Sequence, residues 1–112
     1  MLQNPPDLLF CSNESGTVAG YHAIRGLSGK EGVRPRLVGF DWTPGLLDGL
    51  RRKEIEALVI QDPYRMGLET IRAVRLGLTG GVVKAKIKLD AQLIVASSLN
   101  DPKIQSILNP EA

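Results

Sequence analysis

The sequence is short of most features that announce a function. It has one cysteine, Cys11, so no intramolecular disulfide and no cysteine-based metal cluster can form. Aromatic residues make up 4% of the chain, too few for a row of base-stacking platforms. The net charge of +2 at pH 7 leaves no electrostatic footprint for nucleic acid or an anionic membrane. No run approaches the roughly 20 apolar residues of a membrane span. Residues 1 to 12 hold prolines and an aspartate where a secretion signal needs a continuous apolar stretch, so no signal peptide is read. Neither a G-x-G-x-x-G nor a Walker-type pattern occurs, and with it goes the glycine-rich cradle for phosphate. His22 has no second ligand near it in sequence and reads as a surface or core-edge histidine. No metal, no cofactor and no catalytic residue is expected.

What is present is an ordinary globular composition, 43% hydrophobic and 23% charged over 112 residues, enough for one modest core. Short apolar runs alternate with helical patterns. Strands are predicted over 7–12, 36–40 and 56–61, and a further piece at Leu93-Ile94-Val95. Helices are predicted from Ser15 to Leu27 with a stop at Gly29, from Thr43-Pro44 through Arg51-Arg52-Lys53, from Arg65 to Leu78 with a stop at Gly80-Gly81, and from Asp101-Pro102 through Leu108. Lys84, Lys86 and Lys88 alternate with Ala85, Ile87 and Leu89, the period of a strand with one wet face. The order is β-α-β-α-β-α-β. Strands joined by helices are expected to run parallel, and continuous apolar runs suit strands covered on both faces. The fold class is α/β, a three-layer parallel sheet flanked by helices.

In such a sheet the strand C-termini share one edge, and ligands of open α/β sheets sit outside it. Asn13, Asp41 and Gln61 each follow an apolar run, so they should meet on that rim. A carboxylate only accepts hydrogen bonds, whereas each amide donates and accepts. That set suits vicinal hydroxyls better than phosphate. Each residue also has a plainer role open to it. Asn13 could cap the following helix, Asp41 could form an Asx-turn, and Gln61 could be an exposed strand end. Trp42 could stack on a ligand or cover the sheet edge. Cys11 reads as a small buried hydrophobe. A Cys11–His22–Asp41 set lacks the nucleophile elbow and oxyanion loop that a triad needs.

The segments DLLFCSNESGTVAGYHAIRG, RLVGFDWTPGLLDGLRRKEIEALVIQDPYRMG and LIVASSLNDPKIQSIL resemble the C-terminal half of periplasmic sugar-binding proteins of the ribose-binding type. These are the substrate-capturing components of ABC importers. The resemblance implies an incomplete periplasmic-binding-protein type 1 fold, with a sugar held by Asn13, Asp41 and Gln61. Trp42 departs from the pattern, since a small residue commonly follows that aspartate. The resemblance further implies a partial C-terminal lobe over 1–61, a hinge crossing and a helix that packs on the other lobe over 62–81, and returning strands with a terminal helix over 82–112. The partners implied are a sugar and, for the full-length parent, an ABC permease, in the periplasm or at the cell surface. Left exposed, the helix over 65–78 would promote self-association. The effector domain of a LacI-type transcription regulator shares this architecture, although IEALVIQDPYRMG lacks the pattern those regulators carry there. A phospho-receiver is disfavoured, because Asn13 and Gln61 stand where it needs acidic groups.

Overall fold

The computed structural model describes residues 4–27 and 34–111. Its strands are β1 (Leu8–Phe10), β2 (Arg36–Phe40), β3 (Ala57–Ile60) and β4 (Gln92–Ile94), and its helices are α1 (Glu14–Gly26), α2 (Pro44–Arg51), α3 (Pro63–Leu78) and α4 (Pro102–Leu108). A short 3-10 turn spans Ala96–Ser98. The α/β class and the order of elements are those expected from the sequence. The stop expected at Gly29 lies outside the described residues, and α1 ends at Gly26.

Each helix start has a chemical cause. Asn13 Oδ1 accepts the Gly16 N–H at 2.8 Å, Thr43 Oγ1 accepts that of Leu46 at 3.2 Å, and Asp62 Oδ1 accepts that of Arg65 at 2.9 Å. Proline at the first position of α2, α3 and α4 adds a preset φ without forfeiting a needed donor. Two helices end in the same closed geometry. Gly80, at φ 81°, lets Gly81 N–H reach Leu76 O at 2.9 Å. Lys53, at φ 58°, does the same for Glu54 N–H and Gly49 O, although it is not a glycine.

The strands lie in the order β1-β2-β3-β4. Of the three neighbouring pairs, β1–β2 and β2–β3 run parallel, and β4 runs antiparallel to β3. This corrects the expectation that all helix-separated strands run parallel. The cause lies in the connection. α3 carries the chain about 24 Å away from the sheet edge. Residues 82–91 then bring it back to that edge, so β4 enters with Gln92 opposite Ile60 and must run the other way. The alternating lysine segment is a second correction. It forms no strand, because it lies beside α3 and has no ladder partner there. Its apolar positions Val83, Ala85 and Ile87 share a groove with Met66, Ala73 and Val74 of α3.

The core lies on one face of the sheet. Leu37, Leu58, Ile60 and Ile94 are buried against Tyr21 and Ile24 of α1, Leu46, Leu47 and Leu50 of α2, and Ile104, Ile107 and Leu108 of α4. Two right-handed crossovers along adjacent strands put α1 and α2 on the same side. On the other face, by register, lie Leu8, Phe10, Arg36, Val38, Phe40, Ala57, Val59 and Leu93, of which only Ala57 is buried. Phe10 is 56% and Leu93 65% exposed, so among the described residues no helix covers that side. α3 buries none of its residues. It and the return segment form an arm, and the molecule extends 64 × 29 × 16 Å. The radius of gyration is 18.1 Å, against about 13 Å for a compact domain of this length.

Candidate functional site

The C-terminal edge of the parallel strands carries the candidate residues. Asp41 follows β2 directly and adopts φ 63°, a left-handed conformation that aspartate tolerates better than most residues. Its N–H donates to Val59 O at 2.8 Å, which ties the turn to β3. Gln61 follows β3 directly. Asp41, Trp42 and Gln61, with Glu14 and Pro63, line one cavity of about 320 Å³ at this edge. Neither the Asp41 carboxylate nor the Gln61 amide makes a hydrogen bond or ion pair to another side chain among the described residues. Both are open to a guest.

Trp42 is half-buried, packs against the hydrophobic core and also lines the cavity. A flat apolar wall beside an acceptor-only carboxylate and a donor–acceptor amide can take a ring-shaped molecule edged with hydroxyls.

Asn13 stands differently. It sits on the same edge, but its Oδ1 caps α1 and also lies 3.4 Å from Ser15 Oγ, and it does not line the cavity. Its neighbour Glu14 does. The two Nδ2 donors of Asn13 make no hydrogen bond among the described residues, so the cap leaves them available. Gly16 makes the cap possible, since a Cβ there would lie 2.8 Å from Asn13 Oδ1.

A latch that sequence reading missed fixes α1 against β2. Thr17 is fully buried. Its hydroxyl donates to Asn13 O at 2.7 Å and accepts the Phe40 N–H at 2.9 Å. One side chain thus joins the residue that caps α1 to the residue that precedes Asp41. Gly39 lies directly beneath it, and a Cβ there would come within 2.1 Å of Thr17 Cγ2. The signal was a threonine one turn into a helix opposite a glycine inside an apolar strand, which is legible only once the pairing is known. Glu14 and Pro63 were missed for a similar reason, as each directly adjoins a residue that drew the attention.

The remaining candidates behave as structural residues. Cys11 is a half-buried free thiol packed beneath α1, where its Sγ would lie 2.9 Å from a Cβ at Gly20. His22 is exposed, with its ring 6.0 Å from that of Tyr21. Among the described residues no group of three or more histidine, cysteine or acidic side chains could hold a metal ion. No helix there is long and apolar enough to cross a membrane.

No family profile matches the sequence, and no curated protein sequence matches it. Solved structures do match. A carbohydrate-transporter solute-binding protein from Agrobacterium radiobacter, in complex with D-arabinose, is 32% identical with a TM-score of 0.78, over 89% of this chain and 33% of that one. An ABC-transporter solute-binding protein from Agrobacterium vitis, bound to α-D-tagatopyranose, is 24% identical with a TM-score of 0.77, over 91% of this chain and 34% of that one. A protein from Brachyspira murdochii described as an ABC transporter, LacI family transcriptional regulator is 21% identical with a TM-score of 0.75, over 88% of this chain and 34% of that one. The chain therefore spans about a third of the length of these structures. Its fold is that of the type 1 periplasmic binding proteins, present in part. Within that class it matches a portion of the sugar-binding proteins of ABC transporters. These are binding proteins, in keeping with the non-catalytic reading of the sequence.

Proposed function

We propose that the chain is the C-terminal part of a sugar-binding protein of an ABC importer, and that it contributes one wall of the sugar site. The observation that carries this reading is the meeting of Asp41, Gln61 and Trp42 in one cavity on the C-terminal sheet edge. The 32% identity to an arabinose-bound protein supports the same reading. Asp41 accepts from sugar hydroxyls, Gln61 both donates and accepts, and Asn13 adds donors from its uncommitted Nδ2. Trp42 covers an apolar face of the ring. In the parent protein, closure of a second lobe completes the cage and hands the loaded form to a permease. That parent works in the periplasm or at the cell surface. The stretch 62–81 is the hinge crossing and the helix that packs on the second lobe.

A lone wall binds weakly, with a Kd on the order of 1 mM or above, worth about 4 kcal/mol. The chain's one tryptophan is a built-in reporter of this site. Titration with D-arabinose and a panel of other pentoses and hexoses should move the Trp42 indole resonance, and Asp41→Ala should abolish the shift. An indole that no sugar moves at 50-fold over protein, or one that moves equally in the Asp41→Ala variant, overturns the reading. Submicromolar affinity overturns the half-site part of it. A second reading, the effector-binding portion of a LacI-type regulator, draws on the likeness to the Brachyspira murdochii protein. Both readings use the same rim, and they part on what surrounds it. A coding sequence that joins this chain to a helix-turn-helix would favour regulation, and one that joins it to a secretion signal would favour transport.

A further inference from the structure

The wall of the sheet-edge cavity is more acidic than a neutral sugar needs. Glu14, Asp41, Trp42, Gln61 and Pro63 line it, with no lysine, arginine or histidine among them. The two carboxylates come from different elements, Asp41 from the turn after β2 and Glu14 from the first turn of α1. Neither takes part in a hydrogen bond or an ion pair with another side chain among the described residues. Asp48, Glu54, Glu56 and Glu69 each sit beside an arginine, whereas these two have no cation on the wall to answer them.

The rest of the wall favours the same kind of guest. Trp42 is an indole, the aromatic group that attracts a cation best. Gln61 brings a side-chain oxygen that accepts hydrogen bonds. A hydroxyl gives such a wall one hydrogen and no charge. An ammonium group gives it three hydrogens and a positive charge between two negative ones. We infer that the cavity selects sugars that carry a positive charge, amino sugars, over neutral sugars, and disfavours acidic ones, with Glu14 and Asp41 together taking the ammonium group. This rests on the sugar reading proposed above and narrows its ligand class. A second lobe adds groups across the cavity and leaves both carboxylates in the wall.

The test is the Trp42 indole resonance of the 112-residue chain. It is titrated at low salt near pH 6, where an amine carries its proton. The probes are D-glucose and D-galactose, each beside its 2-amino, 2-acetamido and uronate forms. In water, a unit charge about 4 Å away changes Kd by roughly fivefold. Two carboxylates should therefore favour the 2-amino sugar on the order of 20-fold over the parent sugar and over the 2-acetamido form, in which the nitrogen is uncharged. The uronate should bind weakest in each series. Salt at about 1 M, where the Debye length is about 3 Å, should remove most of the advantage. Glu14→Gln should cut the ratio of amino to parent sugar about fivefold, and Glu14→Asp, which keeps the charge, should largely retain it. Both variants should keep the far-ultraviolet circular dichroism of the wild type, since Glu14 is exposed. Equal affinity for the amino and parent sugars overturns the inference and leaves the sugar reading in place. So does a ratio that Glu14→Gln leaves unchanged, or an indole shift from ammonium chloride as large as that from the amino sugar. An indole that no sugar moves overturns both.

Discussion

Replacing Gly39 with alanine is the sharpest test of how the rim is held. The added Cβ would stand 2.1 Å from Thr17 Cγ2, 2.9 Å from Thr17 Oγ1 and 3.0 Å from Leu58 Cδ2. Thr17 is fully buried and cannot step aside without giving up its bonds to Asn13 O and Phe40 N–H. Overpacking of this kind costs about 1–3 kcal/mol, and the strained or lost bond to Phe40 adds about 1 kcal/mol. Alanine recovers about 0.4–1 kcal/mol by restricting the unfolded chain. The net is a loss of about 2 kcal/mol, or on the order of 10 °C in Tm for a domain of this size. Urea and thermal unfolding read it directly. A second substitution isolates the cause. Thr17→Ser removes the methyl in the closest clash and keeps the hydroxyl, so Gly39→Ala should cost at least about 1 kcal/mol less in the Thr17→Ser background. A Gly39→Ala penalty under about 0.5 kcal/mol, or strict additivity of the two changes, would refute the latch.

Other outcomes follow from single residues. Lys53 occupies the left-handed position that closes α2, so Lys53→Gly should stabilise the chain by up to about 1 kcal/mol in urea unfolding; a loss would show that the lysine side chain matters more than its φ. Asp41 is also left-handed, and Asp41→Gly should keep or raise stability by up to about 1 kcal/mol while removing the sugar-induced shift of the Trp42 indole. A large fall in Tm would mean that the aspartate is there for the turn. Glu54 accepts a hydrogen bond from Tyr21 and lies near Arg52 and Arg25, and Glu56 accepts one from Arg36 at 2.7 Å. The Tyr21 bond foremost, with the arginines, holds the Glu54 carboxyl below its ordinary value, and the Arg36 bond does so for Glu56, in each case against some desolvation. The folded state then binds fewer protons than the unfolded one, so both contributions are complete above the ordinary glutamate pKa of about 4.3 and fade as pH falls through the lower folded values. Tm plotted against pH should drop more gently below about pH 4.3 for Glu54→Gln than for the wild type. An unchanged acid limb would remove Glu54 from the account.

The sequence made the helices legible because their signals are local. Thr43-Pro44, Asp62-Pro63 and Asp101-Pro102 each combine a capping side chain with a proline, and each starts a helix in the structure. The rim was legible in part. Asp41 and Gln61 share a cavity because both directly follow parallel strands, and strand ends can be read from where apolar runs stop. Asn13 was ambiguous for a reason that the structure makes concrete. One side chain can cap a helix through Oδ1 and still offer Nδ2, so position alone cannot separate the two roles. What failed was whatever depends on the path between elements. Lys84, Lys86 and Lys88 have the alternation of a strand, yet alternation prescribes only an extended backbone, and a ladder also needs an edge to pair with.

The direction of β4 and the open sheet face have the same root. Helix-separated strands run parallel when the helix packs back across the sheet, because the chain must then return to the opposite edge. α3 does not pack back. It goes out and the chain returns beside it, which brings Gln92 to the edge that Ile60 had just reached and forces the antiparallel pairing. A helix that fails to pack back also leaves uncovered the apolar face that a packing helix would have covered. Phe10, Val38, Phe40, Val59 and Leu93 therefore remain open for the same reason that Ile71 and Leu78 do.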